Sequence, residues 1–307
     1  MFETWTESTF YARRRLVVRH RNYTYQLSQS LFFFCYVNGV EMTKRRTLRA
    51  TAAGAVLAAG VTMGASFVAG PAMGAETVDP DADKILRSMS TYLGGLSTFS
   101  ATADVDNEII DMAGQKLQLS SSASVLVERP GKLHATRRGP LADVEVIYDG
   151  KVVTINGKGL NVYAQFDSPG TIDDAIATVR FETGLDAPGA DLLYADPYAG
   201  LASNVTSGAY LGTAYVNGVE CHHLAYRAPK VDWQIWVQAG DKPLPMKYVI
   251  TSKWVTGAPE YSVRFRDWNT KPTIDPSLFA FKAPEGATKL EEVPVNEIGE
   301  LAIEGVK

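Results

Sequence analysis

Apolar and polar residues alternate with a period of two between Gly218 and Lys253, which predicts three consecutive strands of a sheet with one buried side. The middle strand has a large apolar residue at every second position: Val231, Trp233, Ile235 and Val237. After a loop with two prolines, the next strand repeats the pattern with Met246, Tyr248 and Ile250. This stretch is the most aromatic part of the chain, and we expect it to form one wall of a binding site.

A period of three to four residues predicts helices elsewhere in the chain. The first begins after the N-cap Asp79, with Pro80 at the first helical position, and ends near Gly94. Thr171 is the expected N-cap of a second helix, and short helical pieces follow it at 190–194 and after Asp196-Pro197.

The remaining segments have the period of strands, separated by turn residues. About six strands are expected between Phe99 and Phe166, with turns at Ala113-Gly114, Pro130-Gly131, Asp149-Gly150 and Asn156-Gly157. Tyr210–Val216 and the strand containing Tyr261, Val263 and Phe265 complete the set. The predicted fold class is α+β: one strongly curved antiparallel meander of about eleven strands, a half-barrel, with helices covering its concave face.

Residues 42–75 have the pattern of a secretory signal peptide. Basic residues at 44–49 precede an uncharged stretch rich in Ala, Gly and Val, which ends in small residues at Ala75. The pair Arg45-Arg46 is compatible with the twin-arginine export route. The stretch is long enough for an uncleaved membrane anchor, but its low hydrophobicity favours cleavage and release into the periplasm.

The domain organisation follows from this signal. Residues 1–41 are interpreted as a non-native upstream extension, because a second recognisable start lies at Met42. Residues 76–307 are then one domain with a loose C-terminal tail after Lys271, in which Phe279 and Phe281 are expected to dock.

Charge and cysteine content exclude some functions. The formal net charge is −4, and the part after residue 75 is more acidic than the whole, so nucleic acid is not an expected partner. The chain has 2 cysteines, and only Cys221 follows the signal, which excludes an internal disulfide in the mature domain. Oligomeric state cannot be inferred from these features.

The order of elements resembles the lipoprotein-carrier (LolA/LolB-like) fold, and local sequence is closer to an uncharacterised family of predicted periplasmic proteins within that superfamily. The resemblance spans roughly Asp79 to Ala287 and is carried by YDGK, DLLYADPY, YLG, GVECHHLAYR, DWQIWVQAGDKPLP and YSVRFRDW. It implies a periplasmic half-barrel with an apolar cavity, and no known catalytic residues. Its superfamily includes carriers of lipids and modules that sense envelope stress. Membership of the superfamily does not indicate which of these functions a protein has.

The most reactive-looking cluster is Cys221-His222-His223. In a strand, Cys221 and His223 share one side and His222 the other, and two ligands are too few for a zinc site without distant help. A structural role is therefore favoured over a metal site, and no cofactor is expected. The sequence shows no acid, base or nucleophile in a catalytic arrangement, so an enzyme is not the favoured interpretation.

The favoured function is a periplasmic binding or carrier protein for a lipid or other hydrophobic ligand. The alternative is an interaction or sensor module of the envelope, without its own ligand and with envelope proteins as partners. The residues expected to line the hydrophobic site share one side of the last strands: Trp233, Ile235, Val237, Tyr248, Ile250, Val263 and Phe265.

Overall fold

Twelve strands form one sheet in the part of the chain that the computed structural model describes, residues 77–111, 113–140, 143–184 and 187–293. The predicted upstream extension, the predicted signal peptide and the cleavage expected near Ala75 lie outside these residues. The strands are β1 Thr98–Ile110, β2 Lys116–Glu128, β3 Lys132–Arg138, β4 Asp143–Tyr148, β5 Val152–Gly157, β6 Val162–Asp167, β7 Ser207–Val216, β8 Val219–Arg227, β9 Val231–Gln238, β10 Pro245–Ser252, β11 Glu260–Asn269 and β12 Thr288–Lys289.

The sheet is open and has the order β12-β6-β5-β4-β3-β2-β1-β11-β10-β9-β8-β7. All pairs are antiparallel except β12, which runs parallel to β6. The expectation of a single meander is wrong. The sheet contains two meanders, β1–β6 and β7–β11, and they join where β1 pairs with β11. The helical segment between β6 and β7 allows this, because it takes the chain from one edge region of the sheet to the opposite edge.

Within the described ranges, three α-helices and three 3-10 helices accompany the sheet. They are α1 Pro80–Gly94, α2 Ile172–Thr183, α3 Pro197–Ala202, η1 Lys158–Leu160, η2 Ala190–Leu193 and η3 Pro276–Phe279. The predicted caps are confirmed: the Asp79 side chain accepts from the backbone N–H of Asp81, and Thr171 forms a capping box with Asp174. A cap supplies partners for N–H groups that the first turn leaves unbonded.

One predicted turn is displaced. Asn156 and Gly157 belong to β5, and the chain reverses afterwards through η1 and Asn161, whose φ is 51°. The reason is visible at Asn156, which is buried and donates from Nδ2 to Oε2 of Glu145 at 3.1 Å. This bond to β4 favours continuation of the strand over a turn.

The main hydrophobic core lies between the helices and one side of the sheet, which we call the helix-facing side. Leu86, Met89 and Leu93 of α1 are at most 1% exposed and belong to one cluster with residues of α2, β1 and β8–β11. The period of α1 predicts this stripe, because residues three and four apart lie on one side of a helix. None of the helices in the described ranges is long and apolar enough to span a membrane.

The segment after Lys271 contacts the opposite meander. Phe279 is 3% exposed, and the ring of Phe281 lies 5.0 Å from that of Tyr163 on β6. Thr288 and Lys289 form β12 beside β6. The rest of the predicted tail, 294–307, lies outside the described residues.

Candidate functional site: an apolar cavity on the helix-facing side

A cavity of about 340 Å³ lies between the helix-facing side of the first meander and the helical segment above it. This volume is within the range of small-molecule sites, roughly 300–1,000 Å³. Most of its lining is aliphatic or aromatic. The side chains come from β1–β5, β11, the end of α1, α2 and the region around η2.

The floor of the cavity is made of small side chains on neighbouring strands. Ala103 of β1 pairs with Ala123 of β2, and Ala101 pairs with Val125, which in turn pairs with Ala135 of β3. Paired residues share a side of the sheet, so these alanines lie together beneath the helices. A methyl group reaches a short distance above the sheet, which leaves space where larger residues would fill it.

The walls and the cover are made of larger apolar residues. Val263, Phe265 and Tyr261 of β11 line one wall, and Val144 and Val146 of β4 line the other. Leu93 at the end of α1, Val179 of α2, and Leu192 and Leu193 of η2 lie above the floor. At one end an aromatic group forms, in which the Trp268 ring lies 5.8 Å from Phe99 and 5.3 Å from Phe265.

The seven residues predicted to bind a ligand do share one side of the sheet, as the register shows. Ile235 pairs with Tyr248, which pairs with Val263. Val263 and Phe265 line the cavity, whereas Trp233, Ile235, Val237, Tyr248 and Ile250 are not among its lining residues. These five pack in the main core, where Ile235 and Val237 are fully buried.

Large aromatic side chains fill the space on the helix-facing side of β8, β9 and β10. The Trp233 ring stacks on Tyr226 at 4.1 Å and meets Tyr248 edge to face at 5.7 Å. The hydroxyl of Tyr226 donates to the Ala82 carbonyl of α1 at 2.9 Å. Burial raises the pKa of both tyrosines, so each hydroxyl stays neutral.

Sequence reasoning missed the residues that create the cavity, above all Ala123, Ala135 and Trp268. Their alternation with polar neighbours was visible and correctly predicted strands. The additional signal was the recurrence of alanine at helix-facing positions of three strands. Its meaning depends on the register, because only pairing shows that Ala103 and Ala123 are adjacent.

Polar groups are few in the cavity. Among the described lining residues, the polar side chains on the helix-facing side belong to Tyr261 and Arg137. Ser124 and Thr136 also line the cavity, but their hydroxyls bond each other at 2.7 Å on the opposite side of β2 and β3. Among the described lining residues there is no Asp, Glu, His or Cys. The lining can therefore exclude water from an apolar ligand, but it offers no general acid or base of the ordinary kinds.

The Cys221-His222-His223 cluster lies apart from the cavity, with its side chains separated as predicted. Cys221 is fully buried opposite the helix-facing side, and burial raises the pKa of its thiol, which keeps it protonated. The His223 ring stacks on Trp236 at 4.0 Å and bonds Gln234 at 2.9 Å. Burial lowers the pKa of His223, which favours neutral imidazole.

His222 lies on the other side of β8, where its Nδ1 is 3.0 Å from the Tyr210 hydroxyl. Each member of the cluster therefore has its own local partner, and the three do not converge on one point. Within the described ranges, no group of three or more His, Cys, Asp or Glu side chains is arranged to hold a metal ion.

The fold and the cavity together define an open, mostly antiparallel sheet with an apolar site on its helix-facing side. The family described as "Predicted periplasmic protein (DUF2092)" matches residues 82–292, and the chain belongs to this family. The match confirms the periplasmic location expected from the sequence and the uncharacterised family that the local sequence resembled. No curated protein matches the chain.

Several solved structures are similar to the chain at low identity. An uncharacterized conserved protein from Thermus thermophilus has 11% identity and a TM-score of 0.42, with 68% of this chain and 98% of that chain covered. The lipoprotein LppX of Mycobacterium tuberculosis has 13% identity and a TM-score of 0.37, with 64% and 100% covered. A LolA superfamily protein from Nitrosomonas europaea has 9% identity and a TM-score of 0.34, with 64% and 96% covered. No inference about function follows from such values.

Proposed function

We propose that the protein is a periplasmic binding or carrier protein for a lipid or another hydrophobic molecule. The observation that supports this most is the apolar cavity of about 340 Å³, with its alanine floor and apolar cover. In the same proposal, the sheet curls into a half-barrel and the helices cover its concave face. The joint core of α1, α2 and the strands supports that arrangement.

An acyl chain fits the chemistry of this lining. Burial of each methylene group contributes about 0.8 kcal/mol, so affinity should rise with chain length until the cavity is full. The ligand would lie on Ala103 and Ala123 and against Val263 and Phe265. Trp233, Ile235, Val237, Tyr248 and Ile250 would support this site from the neighbouring core.

Binding is favoured over catalysis by the same lining. An enzyme needs a positioned acid, base, nucleophile or metal beside its substrate. The described cavity residues offer apolar groups, the hydroxyl of Tyr261 and the guanidinium of Arg137.

A chain-length series tests the proposal. Saturated alcohols of increasing length should be titrated below their aggregation concentration, with tryptophan fluorescence as the readout, because Trp268 lines the cavity. Affinity should rise about fourfold with each added methylene and then level off. The variant Trp268→Phe should lose much of the fluorescence change but still bind ligand when binding is measured by calorimetry. This result would show that the fluorescence change comes from Trp268.

Absence of binding at micromolar concentration across the series would contradict the carrier function. It would favour the alternative, an envelope interaction or sensor module without its own ligand. Binding that does not depend on chain length would place the ligand outside the cavity and would also contradict the proposal.

A further inference from the structure

Among the residues that the structure describes, one charged residue lines the cavity: Arg137, near the end of β3. Arg137 pairs with Ala123 on β2 and with Val144 on β4, so its side chain lies on the helix-facing side with the alanine floor. The next residue, Arg138, is exposed and lies on the opposite side of the same strand. The two adjacent arginines therefore have different surroundings.

Burial decreases along β3 toward Arg137. Leu133 is 5% exposed and belongs to the main core, Ala135 and Arg137 are half-buried, and Arg138 is exposed. Leu133 and Arg137 are four residues apart, a distance of about 13 Å along a strand. Arg137 is thus at the less buried end of the apolar cavity, while Leu93 and Phe99 lie toward the core.

A guanidinium at this position fits an amphiphile better than a plain hydrocarbon. A guanidinium binds a carboxylate or phosphate through two parallel N–H donors. Its five donors allow it to bind a ligand in addition to its contact within the chain. Asp and Glu are absent from the described residues of the lining.

We propose that the ligand is an anionic amphiphile, whose acyl chain occupies the cavity and whose carboxylate or phosphate head group pairs with Arg137. This inference rests on the proposed function and adds the charge and the orientation of the ligand. The acyl chain points toward Phe99 and Leu93, and the head group lies at the β3–β4 end of the cavity.

The test compares four probes with the same sixteen-carbon chain: palmitate, hexadecyl phosphate, hexadecanol and hexadecyltrimethylammonium. Each is titrated by displacement of the neutral dye Nile red from the protein as it is purified from the periplasm. Palmitate, hexadecyl phosphate or both should bind about tenfold more tightly than hexadecanol, and the cationic probe should bind most weakly. The relative affinity of the two anions distinguishes a carboxylate from a phosphate ligand.

Two variants locate the effect. Arg137→Gln should weaken binding of the preferred anion about tenfold and leave hexadecanol unchanged, because the cavity itself is retained. Arg138→Gln is the matched control and should change neither. Since the comparison of head groups on the wild-type protein requires no variant, a folding defect of Arg137→Gln would not prevent the test.

The outcomes separate this inference from the proposed function. If the wild-type protein binds all four probes equally well, or if Arg137→Gln weakens hexadecanol as much as the anion, the head-group assignment is wrong and the hydrophobic site stands. If none of the four probes binds, the proposed function itself is contradicted.

Discussion

The two halves of the sheet use the same alternation of residues with opposite results. On β8–β10, the helix-facing side chains include Leu224, Tyr226, Trp233, Ile235 and Tyr248, and each of these is at most 4% exposed. On β1–β3, the corresponding positions include Ala101, Ala103, Ala123 and Ala135, and a cavity lies above them. Both halves have the sequence pattern of amphipathic strands. The space above β8–β10 is filled by side chains, and we call this the filled half; the space above β1–β3 contains the cavity, and we call this the hollow half.

Side-chain volume, and not hydrophobicity alone, therefore distinguishes the packed core of this sheet from its cavity. Protein interiors are packed like organic crystals, and a void that protein atoms do not fill lowers stability. The filled half anchors α1 through Tyr226 and Trp233, so it can support a neighbouring half that is incompletely packed. A ligand would complete the packing of the hollow half.

The largest expected effect is on stability and comes from the filled half. Ile235→Ala should lower the free energy of unfolding by about 2–5 kcal/mol, because it removes buried methyl groups and leaves a cavity under α1. Urea denaturation measures this loss. Affinity for a long-chain alcohol should remain unchanged at low temperature, where the variant is folded. Loss of binding by the folded variant would show that the two halves do not act separately.

A substitution in the hollow half should have the opposite result. Ala123→Leu places a larger side chain on the cavity floor. It should weaken alcohol binding by at least about tenfold, because the leucine side chain occupies volume that the ligand needs. The free energy of unfolding should stay the same or rise by about 1 kcal/mol, as in other cavity-filling changes. Ser122→Leu, on the exposed side of the same strand, is the control and should leave binding intact. Unchanged binding by Ala123→Leu would contradict the assigned site.

A cluster of polar side chains from β3, β4, β5 and η1 supports the hollow half from the opposite side of the sheet. Glu145 is bonded by His134 Nε2 at 2.8 Å, by Asn156 Nδ2 at 3.1 Å and by Lys158 Nζ at 3.2 Å. Burial alone would raise the pKa of Glu145, but these partners together hold the pKa below its ordinary value. Its charged form therefore stabilises the fold.

Glu145→Gln should accordingly cost about 1.5 kcal/mol at pH 7. A lowered pKa contributes stability that is present above the ordinary pKa of about 4.3 and is lost as pH falls through the folded value. The difference between variant and wild type should thus shrink below about pH 4 in denaturation curves. Glu128→Gln, which removes a half-exposed ion pair with Lys132, should cost about 0.5 kcal/mol or less. An effect of Glu145→Gln that is equal at all pH values would exclude the charge as its cause.

A smaller effect than that of Glu145→Gln is expected on the outer side of the filled half. Cys221 is fully buried, but it packs as a small apolar group with Val216 and Met246 and lies apart from the main core. Cys221→Ser should lower the free energy of unfolding by about 1 kcal/mol. Gel filtration should show the same elution volume for both proteins, and loss of a dimer in the variant would reveal an intermolecular disulfide.

Much of this fold could be predicted from the sequence because its signals are local. Asp79, Thr171 and Asp196 cap helices through bonds to residues two or three positions away, and Asn217-Gly218 forms a tight turn with positive φ at both residues. The pairing of β1 with β11 was missed, since partners such as Val105 and Val263 are far apart in sequence. Asn156-Gly157 was misplaced because a buried bond to Glu145 outweighs the local preference for a turn.

The candidate site was predicted in part, for the same reason. Val263 and Phe265 line the cavity, and the other five predicted residues lie on the same side of the sheet as the cavity. The aromatic residues around Trp233 gave the stronger hydrophobic signal, but large side chains fill space and small ones leave it open. Which alanines lie together depends on register, and register is a property of the folded sheet.

Native mass spectrometry of the protein purified from the periplasm without detergent tests the central claim most directly. The account predicts a non-covalent adduct with the mass of a lipid, retained by Ser122→Leu and reduced or lost in Ala123→Leu. A protein that is free of adduct and binds no long-chain amphiphile at micromolar concentration would contradict it. An adduct retained equally by Ala123→Leu would show that the ligand lies somewhere other than on the alanine floor.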